Sequence, residues 1–395
     1  MFLPSSLIAL VVATLNSLPQ GEQLPLKQDP IPRFPWIKRF ASVGESYAAG
    51  LGAGSRLDWS CSRYDHSYPH LLHTRYLGDH PNRTHEFLAC SGATTTDIVT
   101  LQLPTISEPL DLLTISGGGN DVGLTPILNS CVYQIFPTEP GDCEKAIREG
   151  YRRIHDQSEL RKNMTETLQS AKTKMNPEYG VVYVVGYAGF FGTEDGLCNN
   201  VTWSLWGDLR PDLPRQYLGV GLRRELDSMV EAVNGVLRNV TLAAGRNFRF
   251  VEYDHVVRER RGRYCEKGVN EPNPNRVGLD FYEWGTVDVG DNSTGNGSWS
   301  ARPREKDVER WVQETLKLHP ELEIDEERRW VNKSLIKEGG VEADGLIGDS
   351  IWWLLPDIWK RVFHMRPGGH DIVAELILKD LEENGKGVKE DVGEL

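Results

Sequence analysis

The chain has 395 residues, of which 39% are apolar and 26% charged. It is long enough for one large core and too ordinary in composition for a disordered or collagen-like chain. Its 44 basic and 57 acidic residues leave a formal charge of −13, which repels phosphate backbones and excludes nucleic acid as a general partner.

The first apolar run is LIALVVATL at residues 7–15, followed by polar NSLPQGEQ. It is too short for stable membrane insertion and about the length of a secretory h-region, so residues 1–20 read as a signal peptide. No Lys or Arg precedes the run and no clean small-x-small site follows, so a buried first strand is the alternative. Two counts favour secretion. Asn82, Asn163, Asn200, Asn239, Asn292, Asn296 and Asn332 each begin an N-glycosylation triplet, where chance predicts about two. The six cysteines, Cys61, Cys90, Cys131, Cys143, Cys198 and Cys265, are even in number and contain no CxxC pair. Three disulfides in an oxidising compartment fit this pattern better than zinc ligation, with the pairing open.

From about residue 40, short apolar runs alternate with amphipathic stretches. Residues 39–43 (RFASV) run into GES, 86–89 (EFLA) into CSGAT, 110–115 (LDLLTI) into SGGGND, 180–185 (GVVYVV) into GYAGFF, and 248–253 (FRFVEY) into DH. Runs of four to six residues that stop at glycine or a polar turn read as buried strands. Helical periods lie between and after them: Leu160, Met164, Leu168, Ala171, Met175; Leu222, Leu226, Met229, Val230, Val233, Leu237; and Ile372, Val373, Leu376, Ile377, Leu381. The alternation predicts an α/β fold with a mainly parallel sheet covered on both faces, and ligands at the carboxyl ends of its strands. Residues 266–350 break the pattern with NEPNPN, DNSTGNGSWSARP and a charged run at 304–329. They read as an insertion of loops and one or two solvated helices within the same domain. Residues 386–395 read as a frayed tail.

The chemistry gathers at the strand ends. Ser46 follows the first strand in VGESYAAG; it is either an N-cap or a nucleophile whose hydroxyl and N–H are presented at a strand-to-helix turn. Gly92 in CSGAT is a turn glycine or a backbone donor. Asn120 in SGGGND leaves a carboxamide free at the third strand end, and a GxGxxG phosphate loop fails there on spacing. VFHMRPGGHDI places His364 in a turn and His370 at the start of the last helix, where either is a base or a satisfied structural histidine. Together these supply the nucleophile, donors and base that acyl transfer needs. His66, His70 and His73 in HSYPHLLH form a poor metal site, since only Asp65 could complete it. The aromatic run IWWLLPDIW at 351–359 is either core or an acyl- or sugar-binding wall.

The four blocks GESYAAG, CSGA, GGND and FHMRPGGH, in that order, resemble those of the SGNH (GDSL-like) hydrolase superfamily. The likeness runs from about residue 39 to 132 and resumes at the terminal His block. CSRYDHSYPHLL is similar to the segment after the serine in the secreted, disulfide-bearing bacterial and fungal branch. The resemblance implies a flavodoxin-like three-layer α/β/α sandwich on a mainly parallel five-stranded sheet. The core would span 38–265, with the insertion at 266–350 and the catalytic-His block and last helix at 351–385. It implies Ser46 as nucleophile, His364 as base, and an oxyanion hole of the Ser46 and Gly92 N–H groups and the Asn120 amide. His370 would be structural, as a helix cap. It implies pairing of neighbouring cysteines (61–90, 131–143, 198–265), no cofactor or metal, and an ester of a small molecule or lipid, or an acetylated polysaccharide, as substrate. Three positions depart from the pattern: Glu45 replaces the usual Asp, Met365 the Pro after the His, and Arg361 the acid three residues before it. Without that acid, a backbone carbonyl is the first choice to support the imidazole, and Asp357 the second. The missing acid also leaves a non-catalytic secreted binding protein as the rival class.

Overall fold

The computed structural model describes residues 34–134, 138–155, 159–204, 215–287, 305–318, 320–324, 330–332, 336–337, 340–341 and 355–384. The expected signal peptide, most of 288–354 and the expected tail lie outside the described residues.

Five parallel strands form one sheet: β1 (Arg39–Gly44), β2 (Thr84–Phe87), β3 (Leu112–Ser116), β4 (Val181–Val185) and β5 (Phe248–Val251), in the spatial order β2-β1-β3-β4-β5. This is the doubly wound order whose switch point lies between β1 and β3. The register runs Phe40 to Leu112 and on to Gly44 opposite Ser116. β3 and β4 are buried along their whole length, as strands covered on both faces must be, and that is why LLTIS and VVYVV carry no polar alternation.

One covering layer is α2 (Asp142–His155), α3 (Glu159–Lys174) and α4 (Val220–Ala244), which pack on one another. The other includes α6 (Pro367–Asn384), packed on the helical segment 68–76. The three predicted helical stripes face inward: Leu160, Met164, Leu168 and Ala171, then Leu226, Met229, Val233 and Leu237, then Ile372, Val373, Ile377 and Leu381 are all buried. The three-layer α/β/α architecture is therefore the expected one.

Two features differ from the sequence expectation. Helix α2 is so charged (DCEKAIREGYRRIH) that its narrow buried stripe of Cys143, Gly150 and Ile154 escapes a search for apolar periods. And the first part of the expected insertion, 266–287, contributes side chains to the interior: Leu279, Phe281, Tyr282 and Trp284 are buried. Further on, the charged helix α5 (Glu305–Leu318) covers part of the core through Trp311, which meets Trp359 edge-on at 6.3 Å. Three disulfides join Cys61 to Cys90, Cys131 to Cys143 and Cys198 to Cys265, each pairing a cysteine with its sequence neighbour.

Candidate active site

β1 ends at Gly44, and one residue later α1 (Ser46–Ala49) begins. The turn is tight because Gly44 has φ +142°, and a Cβ there would lie 2.4 Å from the Ser116 carbonyl of β3. Only glycine lets the two strands meet at that point. Gln102 fixes the strand end by accepting from the Gly44 N–H (2.8 Å) and donating to its carbonyl (2.9 Å). Glu45 caps α1, its carboxyl accepting from the Tyr47 N–H at 2.8 Å. The same carboxyl accepts from Ser116 Oγ at 2.5 Å and lies 3.1 Å from Ser46 Oγ. Burial raises the Glu45 pKa, and the hydrogen bonds from Ser116 and Tyr47 partly offset that.

His364 stands 318 residues away in sequence, yet its Nε2 is 2.6 Å from Ser46 Oγ. The turn that aims it is built on Phe363, at φ +69°, a left-handed conformation that a bulky residue adopts only when its surroundings hold it there. Here Tyr47 Oη donates to the Phe363 carbonyl at 2.7 Å. Tyr282 brackets the turn, its carbonyl accepting from the Phe363 N–H (2.9 Å) and its N–H donating to the His364 carbonyl (2.8 Å). The proline that Met365 replaces is thus compensated from 266–287, a role the sequence pattern did not reveal. The Phe363 ring is locked among Tyr133, Phe190, Phe191, Trp203 and Tyr264.

The second imidazole nitrogen, Nδ1, faces the Val362 carbonyl at 3.4 Å. A proton on Nδ1 leaves Nε2 free to accept from Ser46. Desolvation lowers the His364 pKa to about 4; the carbonyls of Val362, Arg361 and Lys360 act in the opposite direction. Asp357 does not reach the ring. Its carboxylate accepts from Tyr64 Oη (2.6 Å) and Ser62 Oγ (3.2 Å) and pairs with Lys360 (2.8 Å) and Arg56 (3.0 Å). The expectation that Asp357 could be the supporting acid is corrected: those cations and hydroxyls hold it elsewhere. Arg361, at the position of the missing acid, is buried with its guanidinium over the Tyr282 ring and donating to the Thr286 carbonyl at 2.8 Å.

Gly92 and Asn120 line the same cleft of about 470 Å³ as Ser46 and His364. The main-chain N–H groups of Ser46 and Gly92 have no protein acceptor among the described residues, whereas Ser91 and Ala93, on either side of Gly92, donate to the Cys61 and Cys90 carbonyls. Asn120 Nδ2 donates to the Ala93 carbonyl at 2.9 Å; that bond fixes the amide and leaves its second N–H for the cleft. His370 is buried outside the cleft, and its Nδ1 accepts the Tyr68 N–H at 3.3 Å, capping a neighbouring helix instead of its own. His66 pairs with Asp65 at 2.6 Å, and among the described residues no group of three His, Cys, Asp or Glu is placed to hold a metal ion. Of the run 351–359, residues 351–354 lie outside the described residues; Leu355 and Trp359 are core.

The sequence profile of the GDSL-like Lipase/Acylhydrolase family matches residues 42–275. Over 97 residues the chain is 38% identical to Lipase 1 of Streptomyces coelicolor and 37% identical to a lipase of Streptomyces rimosus, in each case 24% of this chain and 35% of the relative. The match thus spans about a third of those relatives' length. Among solved structures, an extracellular lipase from Streptomyces rimosus shares 23% identity over 61% of this chain and 90% of its own, with a TM-score of 0.47. Phospholipase A1 from Streptomyces albidoflavus shares 19% over 65% and 91%, with a TM-score of 0.48. With a profile match over more than half of its residues, the chain belongs to the GDSL-like lipase/acylhydrolase family.

Proposed function

We propose that this protein is a secreted serine esterase that hydrolyses carboxylic esters through an acyl-enzyme, with Ser46 as nucleophile and His364 as its base. The observation that carries the proposal is the 2.6 Å approach of His364 Nε2 to Ser46 Oγ in a cleft that also holds Gly92 and Asn120. Ser46 Oγ attacks the ester carbonyl carbon while Nε2 takes its proton. The carbonyl oxygen gains the negative charge and is met by the Ser46 and Gly92 N–H groups and the Asn120 amide. Nε2 then gives the proton to the departing alkoxide, and a water, deprotonated by the same nitrogen, releases the acid and restores Ser46. The imidazolium formed on the way is supported by main-chain carbonyls, not by a carboxylate, which makes the pair a dyad.

Secretion is supported by the N-terminal apolar run, the three disulfides and the excess of glycosylation triplets. Asn82, Asn200 and Asn239 are exposed, as glycan acceptors must be. No helix among the described residues is long and apolar enough to cross a membrane.

The test is turnover of p-nitrophenyl esters by the wild type and by Ser46→Ala, His364→Ala and His370→Ala. The first two should lose at least a thousandfold in kcat, in line with loss of a nucleophile or base; the third should fold poorly or turn over normally. Intact turnover in His364→Ala would assign the base wrongly, and a folded wild type without turnover would favour a binding protein.

A further inference from the structure

The catalytic cleft shares one wall with a second space. Gly119, Leu124, Leu128 and Tyr187 line it on one side, and the same four residues line a second opening of about 50 Å³. That recess runs between the segment after β3 and helix α4. Ile127 and Ile154 close it on one side, and Leu226, Met229 and Val233 on the other. No charged side chain borders it. The one hydroxyl on its wall, Tyr187 Oη, accepts the Gly119 N–H at 3.1 Å and lies 3.4 Å from Glu45, so it is engaged on the cleft side.

Space lined by apolar side chains forgoes dispersion contacts that a packed core would make, and natural cores hold few such voids. A second feature concerns how the back wall is placed. Gly150 of α2 sits behind it: a Cβ there would stand 2.5 Å from Met229 Cε and 2.9 Å from Ile127 Cδ1. The glycine therefore lets both side chains withdraw from the recess, at the cost of a residue that disfavours the middle of a helix. The opening also lies on a particular side of the site. Gly119 immediately precedes Asn120, the amide assigned to the carbonyl oxygen. His364, Val362 and Lys360, beside which the alcohol departs, line the cleft but not the recess.

We propose that the recess takes the alkyl end of the substrate's acyl chain, so that the protein is selective for esters of medium-length aliphatic acids over acetyl esters. This rests on the serine-esterase reading above. Each methylene withdrawn from water into such a site raises kcat/KM about fourfold. Space of this size admits about three to five water-sized groups beyond the cleft.

The experiment compares kcat/KM for p-nitrophenyl acetate, butyrate, hexanoate and octanoate in the wild type, Val230→Phe and Gly150→Ala. Val230 lies on the recess wall and is partly exposed, so a ring can enter without displacing the core. Gly150→Ala pushes Met229 and Ile127 inward from behind. In the wild type the hexanoate-to-acetate ratio should be at least tenfold, and in both variants it should fall at least tenfold while labelling by a fluorophosphonate persists. Should Val230→Phe fail to fold, Gly150→Ala carries the comparison. Acetate turned over as well as hexanoate by the wild type, or a ratio unmoved in folded variants, overturns the recess and leaves the esterase reading intact. No turnover of any ester and no labelling overturns both.

Discussion

Asp357 lies seven residues before His364 and is, from the sequence, the second choice to support its imidazole, but its surroundings commit it to another task. Lys360 and Arg56 hold its pKa below the usual carboxylate range against the effect of burial. Asp357→Asn should therefore lower stability by roughly 3 kcal/mol, since it removes the buried charge that Lys360, Arg56 and two hydroxyls all meet, yet keep kcat within a few-fold; urea unfolding and ester turnover on the same sample check both. Asn120→Ala should do the reverse, cutting kcat about 10² to 10³ with little change in unfolding midpoint, as loss of one oxyanion donor does. As the proposed base, His364 should set the pH dependence. With a pKa held down to about 4 by desolvation, its imidazole is neutral and able to accept a proton throughout the range above that value. Hydrolysis should persist at pH 5 and fall as the pH drops through about 4, and a limb near pH 6.5 in kcat/KM would contradict the lowered pKa.

At the level of elements, what the sequence disclosed was what local pattern can carry. Five apolar runs ending in glycine or polar turns gave the strands, and three apolar stripes gave the main helices, because burial on both faces of a parallel sheet leaves that signature. The serine, glycine, asparagine and histidine blocks each stand at a strand end or terminal turn, so their convergence followed once the sheet was parallel. What remained hidden acts across the chain. Gln102 clamps Gly44, and Tyr282 and Tyr47 fasten the His364 turn; none carries a local mark, since a glutamine or tyrosine in a loop reads the same whether or not it meets a backbone far away in sequence. Residues 266–287 lack any period, so the core contacts made by their scattered aromatics leave no local mark. Tyr47→Phe tests this layer. It removes one buried hydrogen bond to the Phe363 carbonyl, about 1 kcal/mol, and should loosen the base, lowering kcat several-fold while leaving KM nearly unchanged.

At the level of the molecule, buried titratable groups make stability depend on pH in two opposing ways. Burial lowers His370 to about 3, below an unfolded value of about 6.5. The unfolded chain thus binds the extra proton between those values, and this contribution to stability is lost as the pH falls from about 6.5 toward 3. Desolvation raises Asp227 and Asp280 to about 6. There the folded chain binds the extra proton, so their contribution is present at low pH and lost as the pH rises through about 6. The two effects offset each other between about pH 4 and 6, and the histidine dominates below. Asp280→Asn removes one offsetting group, so its urea midpoint should fall more steeply than the wild type's between pH 6 and 4; a parallel or shallower fall would contradict these protonation states.

Hydrolysis by this site requires two side chains, separated by most of the chain, to act on one another. Mapping the adduct of a fluorophosphonate by mass spectrometry, in the wild type and in His364→Ala at equal folded concentration, tests that directly. The expected result is modification at Ser46 alone, slowed at least a hundredfold without the imidazole. An adduct on another serine, or labelling of Ser46 at the same rate in both proteins, would contradict it.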